Sequence, residues 1–379
     1  MAFSFELTAE QERLKELARE FGEREIAPIA AEMDEKDEFS WDMFRKVTQP
    51  PYRFNSIIIP KEHGGLGLGW LELAIVSEEL IYAGTSPMGY LTIASAGINI
   101  FTALANEQQR KKYLSAILSG EGRISFALTE PRGGSDPTGM ETVAERVDND
   151  YVLNGTKSWA SFTDRAHVAV VFAKQPALGP KAISAFLVPT DNPGLEITDK
   201  VSCMGLRGHR DVHFNLVNCR IPGENLLGEE GKGLRNALAT LENGRLSVAA
   251  GYLGLARVAL ESAVKRAKER VLFDHPLFDN QAISFPLAEI VAQIESTRLL
   301  IYKACWLSDK GIPHRAEAAM VKMLAGDVLL KAVDMELRVW AGAGVTKRFP
   351  VERHFRDAKV WVFGQGAPEI QRLIIARAL

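Results

Sequence analysis

A change of hydrophobic period partway along the chain limits its fold more than any other feature. Up to about Glu121 the apolar residues recur at helical spacing. Thr8 and Gln11 form a capping box, and Leu14, Leu17, Ala18 and Phe21 follow on one face. The Pro50-Pro51 pair and the glycines at 64–69 interrupt that pattern. From Phe126 the period becomes two. Val143, Glu145 and Val147 alternate, Asn149-Asp150 can turn the chain, and Asn154-Gly155 reads as a strong hairpin signal. The runs Val168–Phe172, Ile183–Val188 and His213–Val217 continue the strands. After Gly231-Lys232-Gly233 the helical period returns, with Leu246, Ala249, Ala250, Leu253 and Ala256 on one face, and Pro368 opens the last helix. The reading is a mainly α, α+β chain: helices at 1–125, a β domain at 126–230 and helices at 231–379.

Composition narrows the function classes. With 379 residues, 46% hydrophobic and 25% charged, the chain can bury a large core. A net charge of −3 gives no basic footprint for nucleic acid. The sequence has no apolar run of membrane-spanning length. The Met-Ala-Phe-Ser start has no cationic stretch before an apolar core, so no secretory signal is expected. Cys203, Cys219 and Cys305 are too widely spaced for a disulfide framework or a zinc site, and no metal is expected. These features point to a reduced cytoplasm.

The stretch Phe126–Asp136 has the composition of a ligand loop. Its first half can end a buried strand, then Pro131 and Gly133-Gly134 force a turn that bares backbone N–H groups. Thr129 and Ser135 add short hydroxyl donors, which suits a ligand rich in carbonyls and phosphates. A Gly-Gly-Ser-Asp turn by itself also reads as an ordinary strand connection. The glycines at 64–69 and 342–344 do not have the Gly-x-Gly-x-x-Gly spacing, so a dinucleotide would be held without that motif.

Thr129-Glu130-Pro131-Arg132-Gly133-Gly134-Ser135-Asp136 resembles the Thr-Glu-Pro-x-Ala-Gly-Ser-Asp loop of the acyl-CoA dehydrogenase family. His63-Gly64-Gly65-Leu66-Gly67, Trp159-Ala160-Ser161 and Arg356-Asp357-Ala358-Lys359 resemble further segments of that family, in its order. The resemblance implies an N-terminal helical domain, a middle β-barrel domain and a C-terminal four-helix bundle that forms the core of a homotetramer. It implies FAD, an acyl-CoA or acyl-carrier thioester as substrate, and electron-transfer flavoprotein as an electron partner. Phe126, Leu128, Thr129, Ser135, Trp159 and Ser161 would line the isoalloxazine ring, with Thr129 and Ser161 bonding its edge. Arg270, Phe273, Gln281, Arg338 and Gly342 would reach the adenine and pyrophosphate end of a neighbouring subunit's flavin. Ser135, Glu242, Arg245 and Gly366 would meet the substrate. Arg338 and Ala367 depart from the family's glutamine and threonine.

The largest departure is at the base. The family removes the substrate α-proton with a carboxylate, stripped of water, whose pKa rises toward that of the thioester. In most members a glutamate follows Arg-Asp-Ala-Lys by a fixed interval, and here that position is Gln365. A second branch places its glutamate before a helix arginine; the arginine is Arg245, and the position before it is Gly244. Glu242 lies two residues away, roughly 200° around a helix; the resemblance makes it an acid that helps bind CoA, with a substitute base as the lesser reading. Glu369 reads as a first-turn acid, and His63 and His354 as structural. Two alternatives follow: a family-fold protein with different chemistry, such as a desulfinase or reductase, and a non-catalytic partner subunit.

Overall fold

The computed structural model describes residues 6–84 and 96–379. The Met-Ala-Phe-Ser start and the part of the helical reading over residues 85–95 lie outside them.

The N-terminal part is helical: α1 (Ala9–Phe21), α2 (Ala30–Lys36), α3 (Trp41–Thr48), α4 (Trp70–Tyr82), α5 (Ala96–Leu104) and α6 (Glu107–Ser119). The Thr8–Gln11 capping box forms as expected, and an Asn106–Gln109 box starts α6. Helix α4 is buried from Leu73 to Ile81. A helix apolar on most sides is an interior helix, and its acids are met accordingly. Glu78 lies 2.8 Å from both Arg257 and Arg298, and Glu79 lies 2.9 Å from both Arg19 and Arg257.

The middle part holds eight strands: β1 (Ile124–Ala127), β2 (Val143–Val147), β3 (Asp150–Ser161), β4 (Val168–Lys174), β5 (Ile183–Pro189), β6 (Leu195–Lys200), β7 (Asp211–Pro222) and β8 (Leu226–Leu227). The order is β6-β7-β3-β2-β4-β5-β8, with β1 parallel to β4. The hairpin expected at Asn154-Gly155 does not form; both residues lie inside β3. The β2–β3 turn is instead at Asp148-Asn149, with Asp148 at φ 57° and Val147 paired to Asp150. Gly155 is needed for a different reason. Its φ is 149°, and a Cβ there would lie 2.5 Å from the Thr142 hydroxyl oxygen, so the glycine permits close approach where the register with β7 shifts.

The C-terminal part consists of α7 (Gly233–Glu269), α8 (Gln281–Asp309), α9 (Arg315–Trp340), α10 (Val351–Trp361) and α11 (Pro368–Ala376), with a short β9–β10 ladder (Val271–Leu272, His275–Pro276) between α7 and α8. The predicted face of α7 is buried, and Pro368 is the first residue of α11. Tyr252 packs edge-on against Trp361 at 4.8 Å and donates to its carbonyl at 2.8 Å. His354 is buried with Nδ1 3.0 Å from Glu336, in keeping with the structural reading of that histidine. Among the described residues no helix is long and apolar enough to cross a membrane, and no cluster of three or more His, Cys, Asp or Glu could hold a metal.

Candidate active site

A cavity of about 1170 Å³ opens where the sheet meets α7 and the α10–α11 connection. Phe126, Leu128, Thr129 and Ser135 face it from β1 and the loop that follows, and Trp159 and Ser161 from β3. Arg245 faces it from α7, and Gln365 and Gly366 from the α10–α11 connection. Residues expected to share a site from distant stretches of chain therefore line one space.

The loop after β1 is held from behind. Glu130 is buried; its carboxylate accepts from Lys157 Nζ at 2.7 Å and from the backbone N–H groups of Glu141 and Thr142 at 2.6 and 3.0 Å. Burial pushes the Glu130 carboxyl up, but the Lys157 charge and these donors outweigh it and keep it below the usual range. The Thr129 carbonyl accepts from Ser158 N–H at 2.9 Å, which ties the loop to β3. Gly133 sits at φ 145°, where a side chain would be strained.

Trp159 is held at φ 56°, where the register of β3 against β7 shifts between Lys157 and Ala160. The bulge turns the indole out of the sheet and leaves it half exposed. Two residues on, Ser161 donates to Asp211 at 2.7 Å, and His209 Nε2 lies 3.1 Å from both the Ser161 hydroxyl and Asp211. Burial would raise Asp211, but His209 and the Ser161 bond keep it below the ordinary carboxylate range.

On the helical side, Gln365 (φ 55°) and Gly366 (φ 99°) form a left-handed kink before α11. The kink is tied down by its carbonyls. Lys322 Nζ donates to Val362 O at 3.0 Å and to Gly366 O at 2.8 Å, Gln371 donates to Gly366 O at 3.0 Å, and Arg245 Nε reaches Gln365 O at 3.5 Å. Burial pushes Lys322 down to about 7 and Arg245 down to about 10. A Cβ on Gly244 would stand 2.7 Å from Gln365 Oε1. The two positions at which the resemblance leads one to expect a base thus converge on one point, and neither is a carboxylate.

The Arg-Asp-Ala-Lys segment docks the three parts together. Arg356 makes two bonds to Asp34 of α2, at 3.0 and 2.8 Å, and one to Met204 O at 2.7 Å. Buried Asp357 accepts from Leu206 N–H at 2.6 Å.

Other expected residues lie elsewhere. Glu242 does not line the cavity; it faces Arg315, 3.4 Å away, which removes it as a substitute base in this arrangement. Arg270, Phe273 and Gln281 lie around the α7–α8 turn, and Arg338 and Gly342 at the end of α9, all outside this chain's own cavity. Phe273 is 92% exposed. Sequence reasoning missed Arg123, Lys157, His209, Asp211 and Lys322. Each is a polar residue in an apolar stretch or beside a motif, and only long-range contact distinguishes it from a solvated side chain.

Three models of acyl-CoA dehydrogenase domains match the chain: the N-terminal domain over residues 8–121, the middle domain over 125–219 and the C-terminal domain over 231–379. The chain is 38% identical to the probable acyl-CoA dehydrogenase YngJ of Bacillus subtilis, over 99% of each chain. It is 36% identical to the human mitochondrial short-chain specific acyl-CoA dehydrogenase, over 98% of this chain and 90% of that one. The structure resembles butyryl-CoA dehydrogenase from Megasphaera elsdenii with a TM-score of 0.94 and 32% identity, over 99% of each chain. With matches along its whole length and the fold in common, the chain belongs to the acyl-CoA dehydrogenase family.

Proposed function

We propose that the protein is an FAD-dependent oxidoreductase acting on the α,β-carbons of an acyl-CoA thioester. The observation that carries this reading is the single cavity shared by the Thr129–Ser135 loop, Trp159, Ser161, Arg245 and the Gln365–Gly366 kink. The donor set fits a flavin. The hydroxyl residues Thr129, Ser135 and Ser161 line the cavity with a half-exposed indole, and the acids Glu130 and Asp211 are already engaged, so neither opposes an electron-rich ligand. Bound FAD would supply the two-electron acceptor for the β-hydride.

The chain's own residues bind, orient and exclude water. Trp159 would pack on the ring, and Thr129 and Ser135 would offer hydroxyl donors to ring and substrate. The Ser161 proton is engaged by Asp211, so this hydroxyl meets the ring as an acceptor. Arg245 and Gly366 would hold the thioester end. Gln365 occupies the base position with an amide, which orients a substrate and takes no proton. That amide favours a second reading, in which the protein binds an acyl thioester without ordinary dehydrogenation.

Arg270, Phe273, Gln281, Arg338 and Gly342 would serve a neighbour's flavin in a homotetramer; their place outside their own chain's cavity supports this. The division at 230/231, a first division moved from 125/126 to just before β1 at Ile124, a cytoplasmic location and electron-transfer flavoprotein as electron partner complete the proposal. Absorption spectra of the purified protein, before and after addition of acyl-CoAs, test it. A yellow protein whose flavin bleaches is a dehydrogenase, and a spectral shift without bleaching supports the binding reading. A folded protein unable to take up FAD would refute both.

A further inference from the structure

Arg123 is the cation of this cavity with the least evident reason to be there. It precedes β1 and lines the cavity, as do Phe44, Ile98, Ile117 and Asn55. Only 9% of its surface is exposed. The guanidinium sits in a corner between two rings set at 80° to one another, 3.8 Å from the Trp41 centroid and 3.7 Å from that of Phe44. Aromatic faces stabilise the cation but leave its N–H groups without an oxygen or nitrogen acceptor. Among the described residues none accepts a hydrogen bond from it, and its Nη1 is buried without a partner. No acid offsets the burial, which pushes its pKa down to about 9. The acids lining the cavity are committed elsewhere, Glu130 to Lys157 and Asp211 to Ser161 and His209.

A buried cation without a counterion is costly, and a structural role would be served as well by an apolar side chain between the same rings. A buried guanidinium that lines a cavity and has no acceptor is suited to a ligand carboxylate, which can accept from two N–H groups at once. We infer that Arg123 is a specificity-determining residue that receives a carboxylate carried on the acyl chain, making the preferred substrates CoA monothioesters of dicarboxylic acids. This rests on the thioester reading of the same cavity. The thioester would lie at the Gln365–Arg245 end and the second carboxylate at the Arg123 end, with the apolar wall accommodating the methylenes between them. An uncharged acyl chain would leave the guanidinium buried and unmatched, so discrimination arises from the penalty as well as from the bond.

The test is anaerobic calorimetric titration of the FAD-loaded protein with chain-matched pairs: succinyl- and butyryl-CoA, glutaryl- and pentanoyl-CoA, adipoyl- and hexanoyl-CoA. The wild type should bind the carboxylate member of at least one pair about 10- to 100-fold more tightly, the range of a charge-assisted bond. Arg123→Met should abolish that preference while leaving the affinity for free CoA unchanged, and Arg123→Lys should retain part of it. Equal affinities within every pair would overturn the inference, as would a preference that survives in Arg123→Met. Should Arg123→Met fail to fold, the wild-type ratios and Arg123→Lys still decide. Binding of acyl-CoAs without carboxylate preference would sink this inference alone, whereas binding of no CoA thioester would remove the function proposed above with it.

Discussion

Gln365→Glu tests the chemistry most directly. The change swaps one amide nitrogen for oxygen and keeps the volume, so the φ 55° kink and its ties to Lys322 and Arg245 are expected to persist. The neighbouring Arg245 favours an ionised carboxylate, while burial opposes it, so the new group should remain available as a base. General-base catalysis is typically worth about 10²–10⁴-fold, or roughly 3–5 kcal/mol of barrier. Anaerobic rapid mixing of FAD-loaded protein with butyryl-CoA should show bleaching of the flavin faster by that factor in Gln365→Glu than in the wild type. Gly244→Glu, whose Cβ would stand 2.7 Å from the movable Gln365 Oε1, should give a gain in the same direction when combined with Gln365→Gly, which clears that volume. Rapid bleaching by the wild type, undiminished in Gln365→Ala, would refute the argument and place the base elsewhere.

Three further outcomes are expected. Lys157→Met should destabilise the protein by about 3–5 kcal/mol in denaturant unfolding, because it strands Glu130 in the core; adding Glu130→Gln should recover part of that loss, and no recovery would mean the pair acts through packing alone. Lys322, depressed from 10.5 to about 7, has released its proton in the folded protein over a range where the unfolded chain still holds one. Wild-type stability relative to Lys322→Met should therefore rise with pH above 7, by up to about 1.4 kcal/mol per pH unit, and flatten below it; parallel pH profiles would contradict this. Gly205→Ala places a Cβ 2.3 Å from the Arg356 carbonyl and should cost about 1–3 kcal/mol with loss of bound FAD; an unchanged melting temperature would show that the two segments part easily.

The sequence was most informative where the determinants are local. The Thr8–Gln11 box, the Pro368 start and the two changes of period depend on residues a few positions apart, and the structure has them as read. Asn154-Gly155 misled because a glycine required by a neighbouring strand has the same letter as one required by a turn. Only Thr142, distant in sequence, distinguishes the two uses. Within the site, the loop residues were legible as a motif. Arg123 and Lys322 were not, because a charge on a helix or at a strand end looks solvated until the elements that cover it are known. The vacancy at the base was visible at both positions, but their convergence was not, since it depends on how α7 meets the α10–α11 connection.

The contact between Gly244 and Gln365 also bears on how such a chain can change by single mutations. The two positions lie far apart in sequence yet compete for one volume, so a side chain at either fixes what the other tolerates. Glutamate at Gly244 requires the Gln365 side chain to move aside or shrink, whereas glutamate at Gln365 keeps the shape already there. The order of substitutions therefore matters, and the effect of each depends on the other. With glycine at one position and an amide at the other, the present chain leaves that volume open to a carboxylate from either segment.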